Sequence, residues 1–76
     1  GEAWAADYLR RASSGRWPMW RLLAQRRDGT TLRVAVRWLR SDKKEPFSVV
    51  TLSLVEMALH WRYFPSDAAA VEALNT

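Results

Sequence analysis

The chain has 76 residues, 49% of them hydrophobic, with five Trp, no Cys and a formal net charge of +4. That length predicts one domain, 1–76, with a small core. The lack of cysteine excludes disulfide staples and thiolate–zinc sites. No basic-then-apolar leader is visible, and the longest charge-free stretch, Pro46 to Val55, is too short for a membrane helix. The expected setting is soluble and cytoplasmic, with no membrane partner.

Glu2 to Ala12 reads as a helix. Trp4, Ala5, Tyr8, Leu9 and Ala12 recur along one helical face, with acid early and base late. Ser13-Ser14-Gly15 stops it, and Gly15 suits a left-handed position just past the end. Proline after Trp17 predicts an extended entry into the next element.

Trp20 to Arg40 reads as a β-hairpin around Asp28-Gly29. A two-residue Asp28-Gly29 loop would mix apolar and charged side chains on both faces. A three-residue loop, Arg27-Asp28-Gly29, gathers Trp20, Leu22 and Ala24 with Leu32, Val34, Val36 and Trp38. It leaves Arg21, Leu23, Gln25, Arg33, Ala35 and Arg37 on the other face. Because a one-residue slip exchanges a strand's faces, the pattern favours the three-residue loop.

Ser41 to Pro46 is expected to be a charged loop, and Phe47 to Leu52, rich in Val and Thr, a third strand. Ser53 to Phe64 admits two readings. Ser53 and Glu56 fit a capping box opening a helix, with Leu54, Met57, Ala58 and Trp61 on one stripe. Met57, Leu59, Trp61 and Tyr63 also alternate as a fourth strand would. The helix is preferred because Glu, Met, Ala and Leu are good helix formers. Ser66 to Asn75 reads as a second short helix, capped by Ser66, with Val71 and Leu74 as its apolar stripe. The expected fold is therefore α+β. It has an N-terminal helix, a three-stranded antiparallel sheet built on the 20–40 hairpin, and two C-terminal helices packed on one sheet face.

The charge is polarised along the chain. Arg16 to Lys44 holds nine basic residues against two acidic, and the remainder holds three against six. Arg21, Arg33 and Arg37 would share one pleated face. Arg26 and Arg27 sit at the turn, and Arg40, Lys43 and Lys44 follow the second strand. An arginine-bearing ribbon matches phosphates on DNA or RNA. The leading expectation is a non-enzymatic nucleic-acid-binding domain using these eight residues. Reversing Arg33 and Arg37 should then abolish binding without unfolding. The plainer reading is a solvated sheet face.

The alternative expectation is a protein–protein interaction module with an acidic partner surface. Five Trp are hard to bury in so small a core, and Trp17, Trp61 and Phe64 are its candidate contacts. An unpaired edge strand would also accept a partner strand or a second copy. Small regulators or inhibitors of larger complexes, phage-type ones included, share this size and character. Enzyme activity and cofactors are not expected. His60 and Glu56 would pair at i, i+4 on the preferred helix, but two ligands do not make a zinc site. No nucleophile elbow, phosphate loop or HExxH is present.

Overall fold

The computed structural model describes residues 1–39 and 46–76. The order of elements is α1 (Glu2–Ser13), β1 (Trp20–Asp28), β2 (Thr31–Trp38), β3 (Phe47–Ser53), β4 (Ala58–Phe64) and α2 (Asp67–Ala73). The strands form an antiparallel meander in the order β1-β2-β3-β4. The α+β class and the N-terminal helix are as expected. The sheet has four strands rather than three, and one helix rather than two comes after it.

The apolar face of α1 is the one its spacing indicates. Ala5 and Ala12 are buried, and Trp4, Tyr8 and Leu9 pack beside them. Gly15 takes φ 88°, as a residue just past the helix end should. On the sheet, α1 covers Trp20, Val34, Val36, Val50 and Leu52. Trp20 is completely buried and contacts Tyr8 edge-on at 5.7 Å and Trp38 at 5.3 Å. The Trp38 indole N–H donates to Ser48 Oγ at 2.6 Å, so the buried Ser48 hydroxyl has a partner.

The opposite face is covered by α2. Ala70 and Leu74 pack on Ala35 and Val49, with Leu23, Ala24, Phe47, Phe64 and Ala73 around them. In β2, Val34 and Val36 belong to the α1 side while Ala35 belongs to the α2 side, as strand alternation requires. The expected two-layer packing, with helices on one face, is thus replaced by three layers. Ala70 rather than Val71 completes the buried stripe of α2, and Val71 is exposed.

The hairpin also differs from the expected register. Asp28 pairs with Thr31, so the loop is the two residues Gly29 and Thr30. Gly29 has φ 62°, which a tight turn with glycine at its first central position calls for. A bulge between Leu22 and Ala24 then shifts the pairing, and Trp20 meets Trp38. Ala24 moves to the α2 side opposite Ala35, and Gln25 moves to the α1 side opposite Val34.

Residues 53–64 are the largest correction. The capping signal at Ser53 is real, since Ser53 Oγ accepts the Glu56 N–H at 3.2 Å and the Ser53 carbonyl accepts the Met57 N–H at 2.8 Å. It builds a single turn. Met57 at φ 54° ends that turn, and Ala58–Phe64 runs back as β4 against β3. Pairing with β4 covers what would otherwise be the exposed edge of β3, and this tertiary gain outweighs the intrinsic helix preference of Met, Ala and Leu. No helix among the described residues is long and apolar enough to cross a membrane.

Candidate functional site

Two surfaces arise from this arrangement, the arginine face beneath α2 and the free edge of β4. On the α2 side of the hairpin, Arg21 stands opposite Arg37 and Arg26 opposite Arg33. Like charges facing one another across a strand pair destabilise a bare sheet. Here α2 supplies the compensation at both of its ends. Near its start, Arg37 Nε donates to Asp67 Oδ1 at 3.2 Å, and Nη2 donates to Oδ2. The hydrogen bond to Asp67, and then its charge, raise the Arg37 guanidinium further above its ordinary value.

At the other end, Arg26 Nη1 and Arg33 Nη2 donate to the Leu74 carbonyl at 3.1 and 2.9 Å, and Arg33 Nη1 reaches the Thr76 carbonyl at 3.4 Å. Carbonyls at a helix C-terminus lack intrahelical partners and carry partial negative charge. No basic residue lies in the last turn of α2 itself, so the sheet provides the cations. A seven-residue helix is too short to hold its shape alone. Ser66 caps it through the Ala69 N–H at 3.1 Å, and the arginines seat it.

The remaining basic candidates are dispersed. Arg27 turns to the α1 side and pairs with Glu2. Arg21 is exposed and has no hydrogen bond or ion pair with the described residues. Arg40, Lys43 and Lys44, and most of the expected 41–46 loop, lie outside the described residues. The sequence pattern thus places Arg21, Arg33 and Arg37 on one face correctly. It misses that Arg26 joins them and that α2 sits on the same face.

Among the aromatic candidates, Trp17 is 72% and Trp61 56% exposed, while Phe64 packs beneath α2. Because 58–64 is a strand, Trp61 and Phe64 fall on opposite faces. Leu59 and Trp61 lie on the α1 side, His60, Arg62 and Phe64 on the α2 side. Arg62 and His60 are both exposed, and the Arg62 guanidinium lies 5.5 Å from the centre of the Phe64 ring. With 53–64 no longer helical, Glu56 and His60 lose their i, i+4 stacking. Among the described residues no three of His, Asp or Glu are grouped so as to hold a metal ion.

The two sheet edges differ in kind. The β1 edge is bulged at Leu23 and carries Arg21, Arg26 and Arg27. The β4 edge pairs with β3 in unbroken register from Phe47–Phe64 to Ser53–Ala58 and contains neither proline nor an acidic residue. A cleft of about 350 Å³ opens beside β4 toward the α2 side, walled by Arg33, Thr51, His60, Trp61, Arg62 and Phe64. Comparison with protein-family models, with curated proteins and with solved structures finds no match to this chain.

Proposed function

We propose that this domain is a non-catalytic protein-interaction module that receives an extended segment of its partner along the free edge of β4. One observation carries the reading. The edge strand is regular and, among the described residues, unpaired on its outer side, with Trp61 exposed at its centre, while Arg26, Arg33 and Arg37 are engaged in seating α2. Native sheets blunt such edges with bulges, charge or proline; β1 is bulged and carries three arginines, whereas β4 is unbulged and carries one, Arg62. An edge left regular suits strand addition, where main-chain hydrogen bonds give affinity and alternate side chains give specificity. A small regulator or inhibitor of a larger complex would work in this way.

The test is selection of displayed random peptides on the immobilised domain, followed by amide chemical-shift mapping. Selected peptides are expected to shift β4 amides and to lose binding on Trp61→Asp. Peptides that shift only β1 or α1 would contradict the reading.

A second reading, nucleic-acid binding, rests on Arg21, the one α2-side arginine of the hairpin left without a partner among the described residues. It requires an affinity for duplex DNA or RNA that falls steeply with salt, since neutralised phosphates release counterions. Arg21→Glu should abolish that affinity with the fold intact. Absence of binding at low salt would eliminate it.

A further inference from the structure

We infer that the segment received by β4 alternates carboxylate and apolar side chains, acidic–apolar–acidic, with the acids on the α2 side. This rests on the strand-addition reading and specifies its partner. A strand laid on the β4 edge sends successive side chains to opposite faces, each about 5 Å from the β4 residue opposite. The two faces of β4 differ sharply. On the α2 side stand His60 and Arg62, two residues apart, beside the cleft that Arg33 also walls. Among the described residues no acidic side chain lines that cleft. Arg33 is anchored on the Leu74 and Thr76 carbonyls and adds its charge from the inner wall. Arg62 is held over the Phe64 ring, which leaves its guanidinium without a carboxylate partner among the described residues. Carboxylates spaced i and i+2 on the incoming strand would meet His60 and Arg62 together.

On the α1 side the same strip carries Leu59 and the exposed Trp61, which together with His60 line a shallow depression of about 270 Å³ along the strand edge. Leu59 is partly buried against the α1-side core, and Trp61 is the exposed member of this strip. The residue between the two carboxylates would lie on Trp61, and an apolar side chain there removes apolar surface from water. The composition of β4 disfavours a second copy as the occupant. Two β4 strands paired antiparallel about Trp61 would set Arg62 of each across from His60 of the other, and β4 has no carboxylate to offer Arg62.

Three short amidated peptides test the inference by calorimetry and amide shift mapping with the intact chain. One alternates glutamate with valine, one has glutamine for each glutamate, and one has the same glutamates gathered into a block. The alternating glutamate peptide is expected to bind at least about tenfold more tightly than either control, a gap of about 1.4 kcal/mol. Arg62→Gln is expected to close most of the gap to the glutamine peptide. Equal binding of the glutamate and glutamine peptides at β4 would overturn the inference and leave strand addition standing. Failure of all three to shift β4 amides would overturn both. Self-association through β4 that excludes the peptides would overturn the inference as well.

Discussion

Arg37 donates from Nε to Oδ1 of Asp67 at 3.2 Å, joining the middle of the sheet to the first turn of α2. The bond gives a direct role to one of the arginines that make the hairpin look like a binding face. It also sets the terms of a double-mutant cycle. Arg37→Gln and Asp67→Asn should each lower the urea midpoint, and the double variant should lose less than the two losses added. Both side chains are partly solvated, so the coupling should weaken in high salt. Strict additivity at low salt would show that the pair does not hold α2.

Ser48 is buried and accepts the indole N–H of Trp38. Ser48→Ala removes little volume but takes the acceptor from the partly buried Trp38 donor. The expected cost is about 1–3 kcal/mol in chemical denaturation, the penalty of an unsatisfied buried group. A neutral substitution would mean that the Trp38 N–H reaches water.

Met57 holds φ 54° at the end of the β3–β4 turn, a conformation unfavourable for a side chain with a Cβ. Met57 is also exposed, so little packing is lost with its side chain. Met57→Gly is expected to raise stability by about 0.5–1 kcal/mol after the added freedom of the unfolded chain is subtracted. Met57→Val should lower it. The reverse order, read from thermal midpoints, would contradict the left-handed turn.

Burial raises the Tyr8 phenol above its ordinary value of 10.0. The folded state therefore keeps this proton after the unfolded chain has released it. The associated stability is complete below pH 10.0 and declines as pH rises through the folded value. Tyr8→Phe should flatten that alkaline decline. An identical pH profile in the variant would assign the decline to other groups.

The sequence reveals the fold where periodicity is strong and hides it where two periods coincide. In α1 the buried stripe is legible because only a helix brings Trp4, Ala5, Tyr8, Leu9 and Ala12 together. The hairpin's outer faces are legible for a less obvious reason. The observed register near Trp20 differs from the expected one by two residues, and a slip of two returns each side chain to the same face. The loop itself is not legible, because the bulge at Leu23 absorbs one residue that face coherence alone assigns to the turn. In 53–64 a genuine cap at Ser53 is followed by residues that suit a helix or a strand, and only the exposed edge of β3 decides between them. The arginine face shows the same limit. Its members can be read from alternation, but α2, some 30 residues away in sequence from Arg37, determines what they touch.

Arg26, Arg33 and Arg37 together form the seat of α2. Amide hydrogen exchange across residues 67–74 in a triple Arg→Gln variant tests this most directly. In that variant α2 amides are expected to lose protection while β2 and β3 amides keep theirs, because the core around Trp20, Val34 and Leu52 is untouched. Full retention of α2 protection in the variant would contradict it, and would return those arginines to the surface as candidates for an external anion.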